Sequence, residues 1–158
     1  MREIIRNEEY TCEITLDNSH GSKEEPESDI DAINGVGTNS HIYFNNINPV
    51  YVHTRNSETN QVYYEPIPKH IELSHEMFHS LGSMTGTKIS NSETGAYAYT
   101  TTKGDVINTY ISQEELETMG ISYYPGIKYI GTPVNAWNYN MTENSIRDEQ
   151  GLNRRISY

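Results

Sequence analysis

The sequence predicts an α+β fold, a small mixed or antiparallel sheet packed on one amphipathic helix. Three features carry that expectation. His41 to Phe44 in "GVGTNSHIYFNN", and the pair "VYVHTRN" and "QVYYEP", alternate apolar and polar residues with the period of a strand. Residues 69–81, "KHIELSHEMFHSL", change to the period of a helix. Two shorter helical stretches follow at "SQEELETMG", residues 112–120, and "TENSIRDEQG", residues 142–151.

Length and composition narrow the function classes. A chain of 158 residues is long enough to bury one core but has no room for a second of ordinary size, so one site is sought. The 11 basic and 22 acidic residues give a formal charge of −11, which repels a phosphate backbone and argues against nucleic acid as a partner. Cys12 is the single cysteine, so a disulfide within the chain and a cysteine-rich zinc knuckle are both excluded. Any metal must be held by histidines and carboxylates. No window approaches the apolar run of a membrane helix or a secretory signal, which predicts a soluble protein, with no membrane partner, that does not use a cleaved general-secretion signal. Thirteen tyrosines stand beside two phenylalanines, so phenol groups enter the core and need hydrogen-bond partners there.

Along the chain, residues 1–29 read as a polar, acidic leader or linker. Its stretch "NSHGSKEEPESD", residues 18–29, is punctuated by Gly and Pro, and one strand is expected at "YTCEITL". The compact domain is expected over residues 30–158. Its first strand covers His41 to Phe44 and offers His41, Ile42, Tyr43 and Phe44 for pairing with an extended substrate. A hairpin turns at Ser57–Asn60 and ends at Pro66 and Pro68. The helix that follows is predicted to run from Lys69 to Leu81, with Gly82 as its C-cap. At 100° per residue, Ile71, Leu73, Met77, Phe78 and Leu81 share one arc, and Glu72, His75, Glu76 and His79 share the other.

That second arc carries the chemistry. Histidines four apart on a helix project side by side, at a spacing suited to hold one Zn²⁺ at about 2.0–2.1 Å. Glu76, one position beyond His75, is placed to take a proton from a zinc-bound water. A catalytic zinc needs a third protein ligand. His70 lies five residues before His75 and is poorly placed, and the third histidine of a metzincin extension is absent because position 85 is Thr. "EELET" supplies two carboxylates: Glu115, with the small Thr118 three residues on, and Glu114 as the alternate. Against the ligand reading, Ser112-Gln113-Glu114-Glu115 also fits a capping box in which Glu115 serves only the helix end. Glu143 and Arg147, four apart, are expected to form a structural ion pair.

These residues resemble a known family, the NleD-like zinc metalloproteases of the M91 peptidase class, which are type III secretion effectors. "LSHEMFHSL", "EELETMGI" and "GVGTNSHIYFNN" resemble its metal helix, its following helix and its glycine-bearing strand. "TENSIRDEQGLNRRISY" is similar to its closing signature. The resemblance covers residues 30–158. It implies a compact zincin-like metalloendopeptidase with one Zn²⁺ per chain, working as a monomer, and delivered through a type III system into the host cell cytoplasm. It also implies host protein substrates, MAP kinases of the JNK and p38 groups cut in the activation loop. Arg155 and Tyr158, in the arrangement shared with clostridial neurotoxin light chains, are implied to stabilise the oxyanion. Two rivals remain: a protease toxin of the same fold with another protein target, and a metal- or partner-binding module without catalysis.

Overall fold

The structure, a computed structural model, describes residues 8–136 and 141–158. The chain divides into two compact units, Met1–Pro49 with Pro68–Ser90, and Val50–Ile67 with Asn91–Tyr158. Helices are interspersed among short strands and hairpins, and the class is α+β as expected.

The first unit is a mixed three-stranded sheet with a long helix on it. Strands β1 (Cys12–Leu16) and β2 (Lys23–Pro26) flank β3 (Ser40–Phe44), β1 parallel to it and β2 antiparallel. A short helix, α1 (Asp29–Ile33), is capped by the Ser28 hydroxyl, which accepts from the Asp31 amide. Ser40, Ile42 and Phe44 turn inward while His41 and Tyr43 are half-buried, their rings stacked at 4.3 Å. The period of two in "SHIYF" thus marks a core-facing strand.

Two expectations change here. The stretch expected as a leader supplies both strands beside β3, so residue 30 is not an edge of the sheet; its residues 1–7 lie outside the described residues. Strand β2 reads "KEEP", with no apolar alternation to announce it. Its inward side chain is Glu24, buried against the Lys88 ammonium at 2.5 Å and the Ser83 hydroxyl at 2.8 Å. A strand fixed by a buried ion pair has the composition of a linker. The second change concerns His41, Ile42, Tyr43 and Phe44. Strand β3 is paired with β1 from Ser40 to Phe44 and with β2 from Ser40 to Tyr43, so neither edge is open to an added extended chain over that stretch.

Helix α2 (Lys69–Thr85) packs on β2 and β3 and runs four residues beyond the expected Leu81. Gly86, not Gly82, adopts the left-handed C-cap, with φ 69°. Tertiary bonds hold the extra turn: the Thr38 amide donates to the Ser83 carbonyl at 3.0 Å, and the Ser40 and Ser80 hydroxyls meet at 2.6 Å. Together with burial of Met84 they outweigh the cost of a glycine inside a helix, about 1 kcal/mol. The burial of α2 also differs from the wheel. Leu73, Met77, Phe78 and Leu81 are half-buried, whereas Glu72, Ser74, His75, Glu76, His79, Ser80 and Ser83 are buried. The polar face goes inside because its groups find partners, among them Lys69 with Glu72 at 2.7 Å.

A Cβ at Gly86 would lie 2.6 Å from the Gly35 carbonyl carbon, in a backbone conformation that L-residues adopt only at about 1–2 kcal/mol. Gly86→Ala is therefore expected to lower stability by at least that amount, read as a lower urea midpoint at unchanged m value.

The second unit is antiparallel. Strands β4 (Tyr51–Arg55) and β5 (Val62–Pro66) form the expected hairpin, and the side chain of Asn56 accepts the Glu58 and Thr59 amides in its turn. Strands β6 (Thr94–Thr100) and β7 (Val106–Ser112) form a second hairpin that leads directly into α3 (Gln113–Met119); β8 (Tyr124–Pro125) pairs with the other side of β6. Helix α4 (Glu143–Glu149) opens with a reciprocal Thr142–Ser145 capping box and leads to β9 (Arg154–Arg155), which pairs with β4. The core is Tyr97, Leu116, Met119, Ile121 and Tyr123. Tyrosine does enter it, and each buried phenol is bonded: Tyr123 donates to Glu117 at 2.7 Å, and Tyr97 accepts a backbone amide.

Candidate metal centre

One turn of α2 brings His75 and His79 together. Their rings lie 4.7 Å apart between centroids with planes at 76°, and their Nε2 atoms approach to 3.1 Å. Both side chains are buried, as is Glu76 between them in sequence. The separation is itself a test of fit. Two nitrogens bound tetrahedrally to one Zn²⁺ at about 2.0–2.1 Å stand about 3.3–3.4 Å apart, so the imidazoles already converge at nearly the ligand spacing.

Helix α3 presents the carboxylate candidates. The Ser112 hydroxyl accepts from the Glu115 amide at 3.3 Å and Gly120 closes the helix in a left-handed C-cap. This part of the cap uses the backbone amide of Glu115. Glu115 is half-buried on this helix and Glu114 is buried. Two of the other histidines lie against tyrosines. His41 stacks on Tyr43, and His53 sits between Tyr64 and Tyr99 with ring centroids at 5.0 and 5.2 Å.

Arg155 and Tyr158 belong to a docked segment and not to a frayed tail. Arg155 pairs with Thr54 in the β4–β9 ladder, the Ile156 amide donates to the His53 carbonyl at 2.9 Å, and the His53 amide donates to the Ser157 hydroxyl at 2.9 Å. The Arg155 guanidinium is buried. Its Nη1 donates to Glu143 Oε2 at 2.7 Å, its Nε donates to the Ser157 carbonyl at 2.7 Å, and it lies 5.5 Å from the centroid of the Tyr158 ring. The Tyr158 side chain is exposed.

The expected pair of Glu143 and Arg147 is present, Arg147 Nε donating to Glu143 Oε1 at 2.7 Å. It is one half of a larger group. Glu143, fully buried, holds Arg147 on one oxygen and Arg155 on the other, while Asn144 bonds the Arg155 backbone from both sides, at 2.7 and 2.9 Å. The spacing of four to Arg147 is legible on a helical wheel. The link to Arg155, twelve residues on through a turn, has no local signal. Asn144 and Tyr97 were likewise not singled out by any pattern.

The donor chemistry of two imidazoles and a carboxylate suits zinc, with a second carboxylate, Glu76, beside the histidines in sequence. No curated protein matches the chain. A family model does, that of Peptidase M91, described as effector protein, and it matches residues 2–158. The stretch with both strands beside β3, the helix of His75 and His79, the helix of Glu115 and the Arg155–Tyr158 segment all fall inside that match, and the chain belongs to the Peptidase M91 family of effector proteins.

Proposed function

We propose that this chain is a zinc-dependent endopeptidase with a zincin-like site, holding one Zn²⁺ through His75, His79 and Glu115. The observation that carries the reading is the convergence of the His75 and His79 Nε2 atoms at 3.1 Å, with the buried Glu76 on the same helix turn. A site that served only structure has no use for that extra carboxylate.

Bound zinc polarises a carbonyl oxygen and lowers the pKa of a coordinated water to about 7. Glu76 takes the proton of the attacking water and hands it to the leaving amine. The Arg155 guanidinium and the Tyr158 phenol offer positive charge and an O–H to the carbonyl oxygen as it gains negative charge. Pre-docking of Arg155 by Glu143 supports this role, because a group already held in place needs no reorganisation during the reaction.

The substrates we infer are host signalling proteins, MAP kinases of the JNK and p38 groups cut in the activation loop, reached through a type III system by a monomeric effector. Family membership supports an effector acting on a protein. The choice of kinase rests on the sequence resemblance described above. Among the described residues no helix is long and apolar enough to cross a membrane.

Two measurements test the reading. Glu115→Ala is expected to lose bound zinc on gel filtration at unchanged helix content, whereas Ser112→Ala is expected to keep zinc and lose about 1 kcal/mol of stability from the cap. Equal zinc retention in the two variants would remove Glu115 from the ligand set. Mapping new termini after incubation with purified kinases and with cell lysate identifies the target, and cleavage confined to other proteins would overturn the kinase assignment.

A further inference from the structure

Tyr97 stands at the middle of β6 and is 3% exposed. Its ring belongs to the same core cluster as Leu116 and Met119 of α3, the helix that carries Glu115. Its hydroxyl accepts the backbone N–H of Tyr158 at 3.1 Å. Its own carbonyl accepts the hydroxyl of Tyr129, which holds the strand at that point. One side chain therefore packs with the helix of a proposed metal ligand and fixes the segment of the proposed oxyanion-stabilising pair.

The hydroxyl has a specific use. Packing against Leu116 and Met119 requires only an aromatic ring, and phenylalanine supplies one. Burying a hydroxyl among those residues is costly unless it is bonded, and its bond goes to the Tyr158 amide. Burial also holds the phenol above its ordinary pKa, so it accepts that amide as a neutral group over the range in which a peptidase works. Glu143 acts from the other end of the segment by gripping Arg155.

We propose that Tyr97 is a positioning residue of the peptidase reaction, its hydroxyl fixing the backbone at Tyr158, and with it the Arg155–Tyr158 pair, against the helix that bears Glu115. This rests on the reading of the chain as a zinc peptidase. Sub-ångström placement of groups that meet the developing oxyanion governs kcat more than substrate affinity.

The test is Tyr97→Phe, which removes one oxygen and leaves the ring. The variant is expected to fold and to bind about one zinc per chain as the parent does. Its kcat is expected to fall about tenfold, with KM within about twofold. Tyr158→Phe is expected to be slow, and the double variant no slower than Tyr158→Phe alone, because both changes disable the same phenol. Multiplying losses would show that Tyr97 does not act through Tyr158 and would overturn the proposal. A second arm does not depend on catalysis. In chelator-treated protein, exchange of the Tyr158 amide hydrogen is expected to accelerate about tenfold in Tyr97→Phe while that of Ile156, bonded to His53, stays as in the parent. Unchanged exchange at Tyr158 overturns the proposal. A parent protein that binds zinc but cleaves nothing defeats the peptidase reading, and the exchange arm then still decides whether Tyr97 holds the segment.

Discussion

Replacing Glu76 by Gln is expected to lower kcat by about 10²–10⁴-fold while the protein still binds about one zinc per chain. The substitution keeps the shape and the hydrogen-bonding length of the side chain and removes only its ability to accept a proton. Glu76 is buried on α2, so a change of size there would disturb packing, and Glu76→Ala serves as a companion with a cavity. The imidazoles of His75 and His79 approach each other directly, with Nε2 atoms at 3.1 Å. Zinc content is therefore expected to stay constant across parent and variants while peptide cleavage disappears. Equal cleavage by parent and Glu76→Gln would remove the base from the mechanism. Zinc binding without cleavage in the parent would favour the module that binds metal and does not hydrolyse.

The legible part of the molecule is the part governed by short spacings. His75, Glu76 and His79 fall within five residues, and one helical turn suffices to bring the imidazoles together, so the pattern could be read without knowing the fold. The β4–β5 hairpin and the Ser112 cap are local in the same sense. What escaped was set by partners far along the chain. Strand β2 has a buried Glu24 where a hydrophobic residue would have announced it, and its counter-ion, Lys88, lies 64 residues on, beyond α2. The end of α2 was misplaced because Gly82 looks like a cap until Ser80, Ser83 and Met84 are seen to be buried. The burial of the polar arc of that helix was not legible either: sequence shows polarity, and only the structure shows that Ser40, Lys69 and Glu24 partner part of it. In each case a hydrogen-bonded polar contact overrode a pattern that assumes water as the partner.

Removing the carboxylate of Glu143 is expected to be the most destabilising single change in the second unit. Glu143, Arg147 and Arg155 are all buried, with two guanidiniums on the two oxygens of one carboxylate. In Glu143→Ala both cations remain in a site from which water is excluded, and breaking a buried pair in this way costs about 3–5 kcal/mol. That is about a fifth or more of the stability of an ordinary domain, about 5–15 kcal/mol. Arg147 is the less favourably held cation, because its Nη2 is buried with no hydrogen-bond partner. Arg147→Met fills similar volume, removes that orphaned donor and leaves the bond between Glu143 and Arg155 in place, so it is expected to cost less than about half as much. Urea unfolding of the two variants beside the parent reads the difference directly. A loss below about 1 kcal/mol for Glu143→Ala would mean that the two guanidiniums find water once the carboxylate is gone, and that the group is not closed to solvent. A large loss for Glu143→Ala with a small one for Arg147→Met would establish that the carboxylate holds Arg155 in place chiefly by charge, as the proposed oxyanion role requires.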